Sequence, residues 1–394
     1  MTFKGFRMPQ IVAALQSSVE FAVEMPEAEE RGVVVGAVWS VATAGRVTAP
    51  TILQAITAGE EEFARHLEVP YVLVTSVSAR HFDGMGPKEV DGSTIQFDRF
   101  LPEPFFAEHE KARTAGEDQV VGALPDPANP MRAYTAARVS VSGRSHQQAV
   151  ERALDALDLL RGIWNLAINR NVGDMTSIGV RRPTNRLSPG PIHSLHHPDG
   201  RLADESPWLE PDYAGPVFVY SLQGGWGYVE EYEEQVWQEL ERIPYRRDLE
   251  AAIRTYARAL DRRDWNTSFV RLWGVLETLT GTSRSRKETL ESRMLFLLRA
   301  EDRPFHRQIL RHLRRYRNRT VHAGHETEAI QRLLFQLKFY VEALLEFHLS
   351  ADPAFEKLEE ATRFLDLPKD PAELRESARR VEQALRLQEP DTPS

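Results

Sequence analysis

From Glu230 almost to the C-terminus, apolar residues recur every three to four positions, the period of a helix that buries one face. That feature restricts the last part of the chain to an all-helical domain. Pro244 ends a first helix that starts near residue 229, and Leu249, Ile253, Tyr256 and Leu260 mark a second over about 246–262. Asp264 is placed to cap a third, whose stripe of Trp265, Phe269, Leu272, Trp273, Leu276 and Leu279 stops at Thr280-Gly281. After a Ser/Arg loop at 282–286 the spacing predicts a shorter helix over 287–299. Pro304 then suits the first turn of a segment with Phe305, Ile309, Leu313 and Tyr316 on one side. Leu333, Leu334, Leu337, Val341, Leu344 and Leu345 predict a long core helix over 326–348, and residues 353–388 add one or two more.

Residues 1–225 read as mixed α and β structure without an internal repeat. The pattern predicts a helix over 9–24, valine-rich strands over 32–43 and 71–77, a helix over 51–67 between them, and a strand over 94–100. Pro-Asp-Pro and Asn-Pro steps mark 116–130 as loop. A strand over 134–142 feeds an amphipathic helix over 146–169, and a strand over 217–222 closes this part. Between them, His193, His196, His197 and Asp199 either hold a divalent metal or flank a hairpin at the turn-forming Pro198-Asp199-Gly200, the simpler reading. The expected architecture is an α+β N-terminal domain, residues 1–225, followed by an all-α helical bundle domain, residues 226–390.

With 394 residues the chain is long enough for two or three domains, and 42% apolar with 27% charged residues describes a globular protein rather than a disordered one. The absence of cysteine excludes disulfides, thiolate nucleophiles and Cys-based zinc sites. No run of 18 apolar residues occurs and the N-terminus has no signal-peptide pattern, so a cytoplasmic protein with no membrane partner is expected. A net charge of −9 argues against a nucleic-acid partner until its distribution is considered. Residues 245–348 hold 21 Lys and Arg against 13 Asp and Glu, and residues 303–325 carry seven arginines and no acid.

That basic run ends in Tyr316-Arg317-Asn318-Arg319-Thr320-Val321-His322-Ala323-Gly324. Arg317 is charged at any working pH and fits a phosphate bidentately, while His322 exchanges protons near neutrality without a metal. The pair suits phosphoryl-transfer chemistry. On an ideal helix, however, positions five apart lie ~140° apart around the axis, too far to face one phosphate. Either the helix ends near Thr320-Val321, helped by Gly324, or two copies of the motif cooperate across a two-fold axis.

Arg317-Asn318, three further residues and His322 resemble the RNxxxH form of the R-x4-6-H motif of the HEPN superfamily. Together with the upstream run Leu272-Trp273-Gly274-Val275-Leu276-Glu277, the segment 245–350 is similar to the Apea-like branch of HEPN domains. The resemblance implies a metal-independent, cofactor-free endoribonuclease in which 2′-hydroxyl attack cleaves RNA, tRNA included. It implies His322 as acid/base, Arg317 as stabiliser of the transition-state charge, Asn318 as an orienting amide, and Glu277 as a carboxylate holding Arg317 or His322. Arg311, Arg314, Arg315 and Arg319 are the expected RNA contacts. A homodimer is implied, as is a toxin-like role in anti-phage defence by abortive infection. The alternative is a non-catalytic HEPN module that binds RNA or a partner protein as a scaffold. HEPN toxins controlled by nucleotidyl transfer carry a tyrosine where this chain has Gly324, so control is expected from a phage-derived trigger or regulatory partner at the N-terminal domain.

Overall fold

The computed structural model describes all residues except 1–7, 46, 81–84, 121–133, 171–183, 212, 214–219, 222–225, 283–287, 324–328, 352–354 and 389–394. The chain divides into two compact units, residues 1–157 with 189–221, and residues 158–188 with 222–394. The second unit therefore takes in 158–188, which the sequence pattern grouped with the N-terminal domain.

The first unit opens with three helices, α1 (Met8–Gln16), α2 (Glu27–Thr43) and α3 (Ala49–Arg65). They bury Val12, Val34, Ala37 and Ile56 in one small core. The Thr48 hydroxyl caps α3 by accepting the Thr51 N–H, and Thr51 Oγ1 accepts the Thr48 N–H in return. Residues 32–43 are helical, not the strand that their valines predict. Glu27, Glu29 and Glu30 favour a helix start after Pro26, and the buried Val34, Ala37 and Val41 are spaced three and four apart. Packing at that period overrides the preference of valine for strands. The first helix is also shorter than expected, ending at Gln16 rather than near 24.

The sheet that follows is antiparallel, in the order β3-β4-β5-β1-β6-β7. Its strands are β1 (Val69–Val77), β3 (Lys88–Val90), β4 (Ser93–Asp98), β5 (Thr135–Gly143), β6 (Ile192–His196) and β7 (Trp208–Leu209), while β2 (Ala79–Arg80) and β8 (Tyr220–Ser221) pair separately. The central β1 is a near-continuous apolar run with Leu73 and Val74 fully buried, so both its faces are covered. Phe105 of α4 (Glu103–Gly116) packs on Val72 and Val74.

The long helix α5 (His146–Asn169) contributes its C-terminal part to the second unit. There Gly162 lies so close to Ile253 that a Cβ would sit 2.6 Å from its Cγ2. The remaining helices are α6 (Trp226–Arg242), α7 (Arg246–Leu260), α8 (Trp265–Leu279), α9 (Glu288–Phe296), α10 (Arg303–Ala323), α11 (Ile330–Leu349), α12 (Leu358–Phe364) and α13 (Pro371–Gln388). Asp264 caps α8, accepting the N–H groups of Asn266 and Thr267. Helix α8 packs on both α7 and α11, and Tyr256, Phe269, Leu272, Leu337 and Leu344 are fully buried between them.

Charges within this core are paired, as burial demands. Arg161, with no exposed surface, donates to the Leu187 carbonyl at 2.8 Å, to Asp261 at 3.0 Å and to Asp158. Lys338 donates to both Glu342 oxygens at 2.9 Å and to the Asn169 carbonyl at 2.8 Å. Among the described residues, no helix is long and apolar enough to cross a membrane.

Candidate functional site

Buried side chains orient helix α10, Tyr316 among them. Tyr316, only 2% exposed, donates its hydroxyl proton to Asn266 Oδ1 and sets its ring edge-on to Phe269 at 5.0 Å. Leu310 and Leu313 complete the buried side of the same helix. With that face fixed against α8, the next residue, Arg317, emerges beside Glu277.

Glu277 stands one turn after Trp273 on α8 and accepts the indole N–H at 2.8 Å. Arg317 Nη2 approaches the same carboxylate at 3.4 Å, and both side chains remain about one-third exposed. Trp273 thus aims the carboxylate, and the carboxylate holds the guanidinium while leaving most of its N–H donors free for a phosphate.

The helix does not end at Thr320-Val321 but continues to Ala323. No residue with a helix-breaking backbone intervenes before Gly324, and packing through Tyr316 carries the helix past the motif. Residue 322 therefore stays on the helix ~140° from residue 317, and one chain cannot turn both positions to one phosphate. The His322 side chain lies outside the described residues. Asn318 is half-buried and Arg319 exposed, both in the turn that follows Arg317.

The other predicted RNA contacts group differently. Arg311 and Arg314 both pair with Glu291 of α9, at 3.3 Å and 2.7 Å, and Arg315 is exposed next to them. Glu291 is itself buried. At ~100° per residue, positions 307, 311, 314, 315, 318 and 322 fall within an arc of ~100°, with 317 outside it toward α8. Helix α10 thus has two charged edges. Sequence reasoning missed Glu291, and with it Lys369, which lies beyond residues 245–350.

Other histidines serve the scaffold. His348 is fully buried, with Nε2 on the Leu279 carbonyl at 3.2 Å and Nδ1 on the Tyr245 hydroxyl at 3.1 Å, and burial pulls its pKa down to about 4. In the first unit, His193 Nδ1 bonds Thr75 Oγ1 at 2.7 Å, while His196 binds the Gly200 carbonyl and Ser194 Oγ, each at 2.8 Å. Three residues apart on β6, His193 and His196 point to opposite faces, and His197 lies against Tyr71. Among the described residues no group of three or more His, Cys, Asp or Glu side chains converges to hold a metal ion. The histidines flank a turn instead, in which the His197 carbonyl accepts the Gly200 N–H. No protein family, curated protein or solved structure matches the chain.

Proposed function

We propose that the helical unit is a HEPN-type endoribonuclease that cuts RNA without a metal cofactor. The observation that carries this reading is the pair of Arg317 and Glu277: a guanidinium held in place yet part-exposed, on the helix that also bears His322 and a cationic edge. In the reaction the RNA 2′-oxygen attacks its own phosphorus, forming the P–O2′ bond and breaking the P–O5′ bond. His322 takes the 2′-hydroxyl proton or returns one to the departing 5′-oxygen, and Arg317 stabilises the added charge on the phosphorane-like transition state. Asn318 supplies an orienting amide. The products are a 2′,3′-cyclic phosphate and a 5′-hydroxyl.

Because the continuous helix keeps positions 317 and 322 on different sides, the reading includes a homodimer in which one copy's Arg317 serves the phosphate acted on by the other's His322. RNA cleavage of this kind fits a toxin-like role in anti-phage defence, with the first unit sensing the trigger. The test is incubation of wild type and His322→Ala with total cellular RNA, tRNA and an unstructured oligonucleotide, followed by end-group mass spectrometry. Cleavage should survive saturating EDTA on the unstructured substrate and fall by at least ~10²-fold in His322→Ala. Products with 5′-phosphates, or a fully active His322→Ala, would refute the mechanism. RNA bound but never cut would favour the scaffold reading.

A further inference from the structure

We infer that α9, α10 and the segment after α12 form a groove for the phosphate backbone of single-stranded RNA, running along α10 toward its His322 end. This rests on the ribonuclease reading of the same helix. The groove has a volume of about 550 Å³. Arg307, Arg311, Arg314 and Arg315 line it from α10, and Lys369 closes it from the other side. Against these five cations the described lining offers one carboxylate, Glu291, already shared by Arg311 and Arg314. Phosphate is the chemistry that such an excess of positive charge lacks.

The groove is built rather than incidental. Lys369 Nζ donates to Ser292 Oγ at 2.8 Å, fixing the ammonium against α9. Its backbone carbonyl accepts from Arg303 at 3.1 Å, and Arg303 also binds the Leu295 and Leu298 carbonyls at 3.0 and 3.1 Å. Three residues before Lys369, Asp366 is gripped by Arg293 of α9 at 2.8 and 2.5 Å. Two arginines therefore staple the 366–369 segment to the end of α9. Burial, then Arg303 and Arg307, pull the Lys369 pKa down, against the nearby Asp366, which raises it.

Among the described residues the lining holds no aromatic ring on which a base could stack, so what it offers a strand is charge and spacing rather than sequence. From Arg307 to Arg315 the helix rises ~12 Å, long enough for more than one phosphate. The same arc of α10 continues through Asn318 to position 322, so a strand seated in the groove runs toward that position, with Arg317 on the other edge of the helix.

The test uses the full chain carrying His322→Ala, so that RNA stays intact, with a fluorescent unstructured oligouridylate and anisotropy titrations across a salt series. Adding Lys369→Gln or Arg307→Gln should each flatten the log–log salt slope by ~0.7 and weaken binding ~5-fold at 0.1 M salt. Lys369→Arg should restore both, and Arg375→Gln on α13 should change neither. Arg307 is exposed, so Arg307→Gln carries the test if Lys369→Gln lowers the melting temperature. Unchanged affinity and slope in correctly folded variants overturn the groove, as does pyrophosphate binding that depends on Lys369 when RNA binding does not. Cleavage is scored separately with His322 intact. RNA held through Lys369 and Arg307 but left uncut keeps the groove and overturns the ribonuclease, whereas RNA cut with no loss of binding in the variants does the reverse.

Discussion

Replacing Glu277 by glutamine isolates what the carboxylate does for Arg317. The amide oxygen can still accept the Trp273 indole proton, so the local packing survives, but the amide NH2 now meets the guanidinium donor to donor. The lost ion pair is about one-third exposed on both sides and 3.4 Å long, so it contributes at most ~1 kcal/mol to folding. For a unit of this size that is a melting shift of no more than ~4 °C. The proposed cleavage is more sensitive. Arg317→Ala removes a transition-state donor and should cost ~10²- to 10³-fold in rate, whereas Glu277→Gln only frees the arginine to wander and should cost ~10- to 10²-fold. In an Arg317→Ala background, Glu277→Gln should then cost nothing further, because its effect runs through the missing side chain. Single-turnover cleavage of one labelled RNA by the four proteins of this cycle measures it. Equal losses from Glu277→Gln in both backgrounds would show that Glu277 acts independently of Arg317 and refute the positioning role.

Two further outcomes test the scaffold. Arg161→Met leaves Asp158 and Asp261 buried without their shared partner and should destabilise the helical unit by ~3 to 5 kcal/mol in urea titration; a loss under ~1 kcal/mol would mean that the cluster is not desolvated as described. His348 is held neutral, donating from Nε2 to Leu279 and accepting at Nδ1 from Tyr245, with a folded pKa of about 4 below the ordinary 6.5. An unfolded imidazole binds its proton below pH 6.5 and the folded one does not until about 4, so this stabilisation is complete above 6.5 and lost as pH falls toward 4, by up to ~3 kcal/mol. His348→Gln should flatten the urea-midpoint profile across that window; profiles parallel to wild type would contradict the assignment.

What could be read from the sequence was local. The α5 helix, the Asp264 cap and the apolar stripe of α8 stand where period and capping chemistry place them, because a helix repeats its environment every turn. Valine content points to a strand where the spacing of Val34, Ala37 and Val41 makes α2 a helix, and α4 has no apolar stripe strong enough to mark it in the sequence, its Phe105 being buried only against the sheet. The site divides the same way. Arg317 and Glu277 were legible as types in a pattern, and Glu277 was expected on a neighbouring helix, but that α10 would run on to Ala323 depended on what Tyr316 packs against. Glu291 and Lys369 meet the basic run only in three dimensions, the lysine more than 50 residues further along the chain than Arg315. No spacing rule connects residues that far apart.

The two carboxylates facing α10 differ in a way that bears on mechanism. Glu291 is buried and holds Arg311 and Arg314, so these two arginines are organised before any ligand arrives. Binding there loses little side-chain freedom. Glu277 is part-exposed and holds Arg317 at 3.4 Å, a weak tether that a phosphate can outcompete. In the proposed mechanism the arginine gains from that weakness: a tight ground-state pair would have to be broken as charge develops on the phosphorus, and its strength would be subtracted from the stabilisation delivered there. On this account the groove contributes affinity that the ground and transition states share, while Arg317 contributes to the rate. Mutations at the two edges of one helix should therefore separate cleanly into changes in binding and changes in turnover.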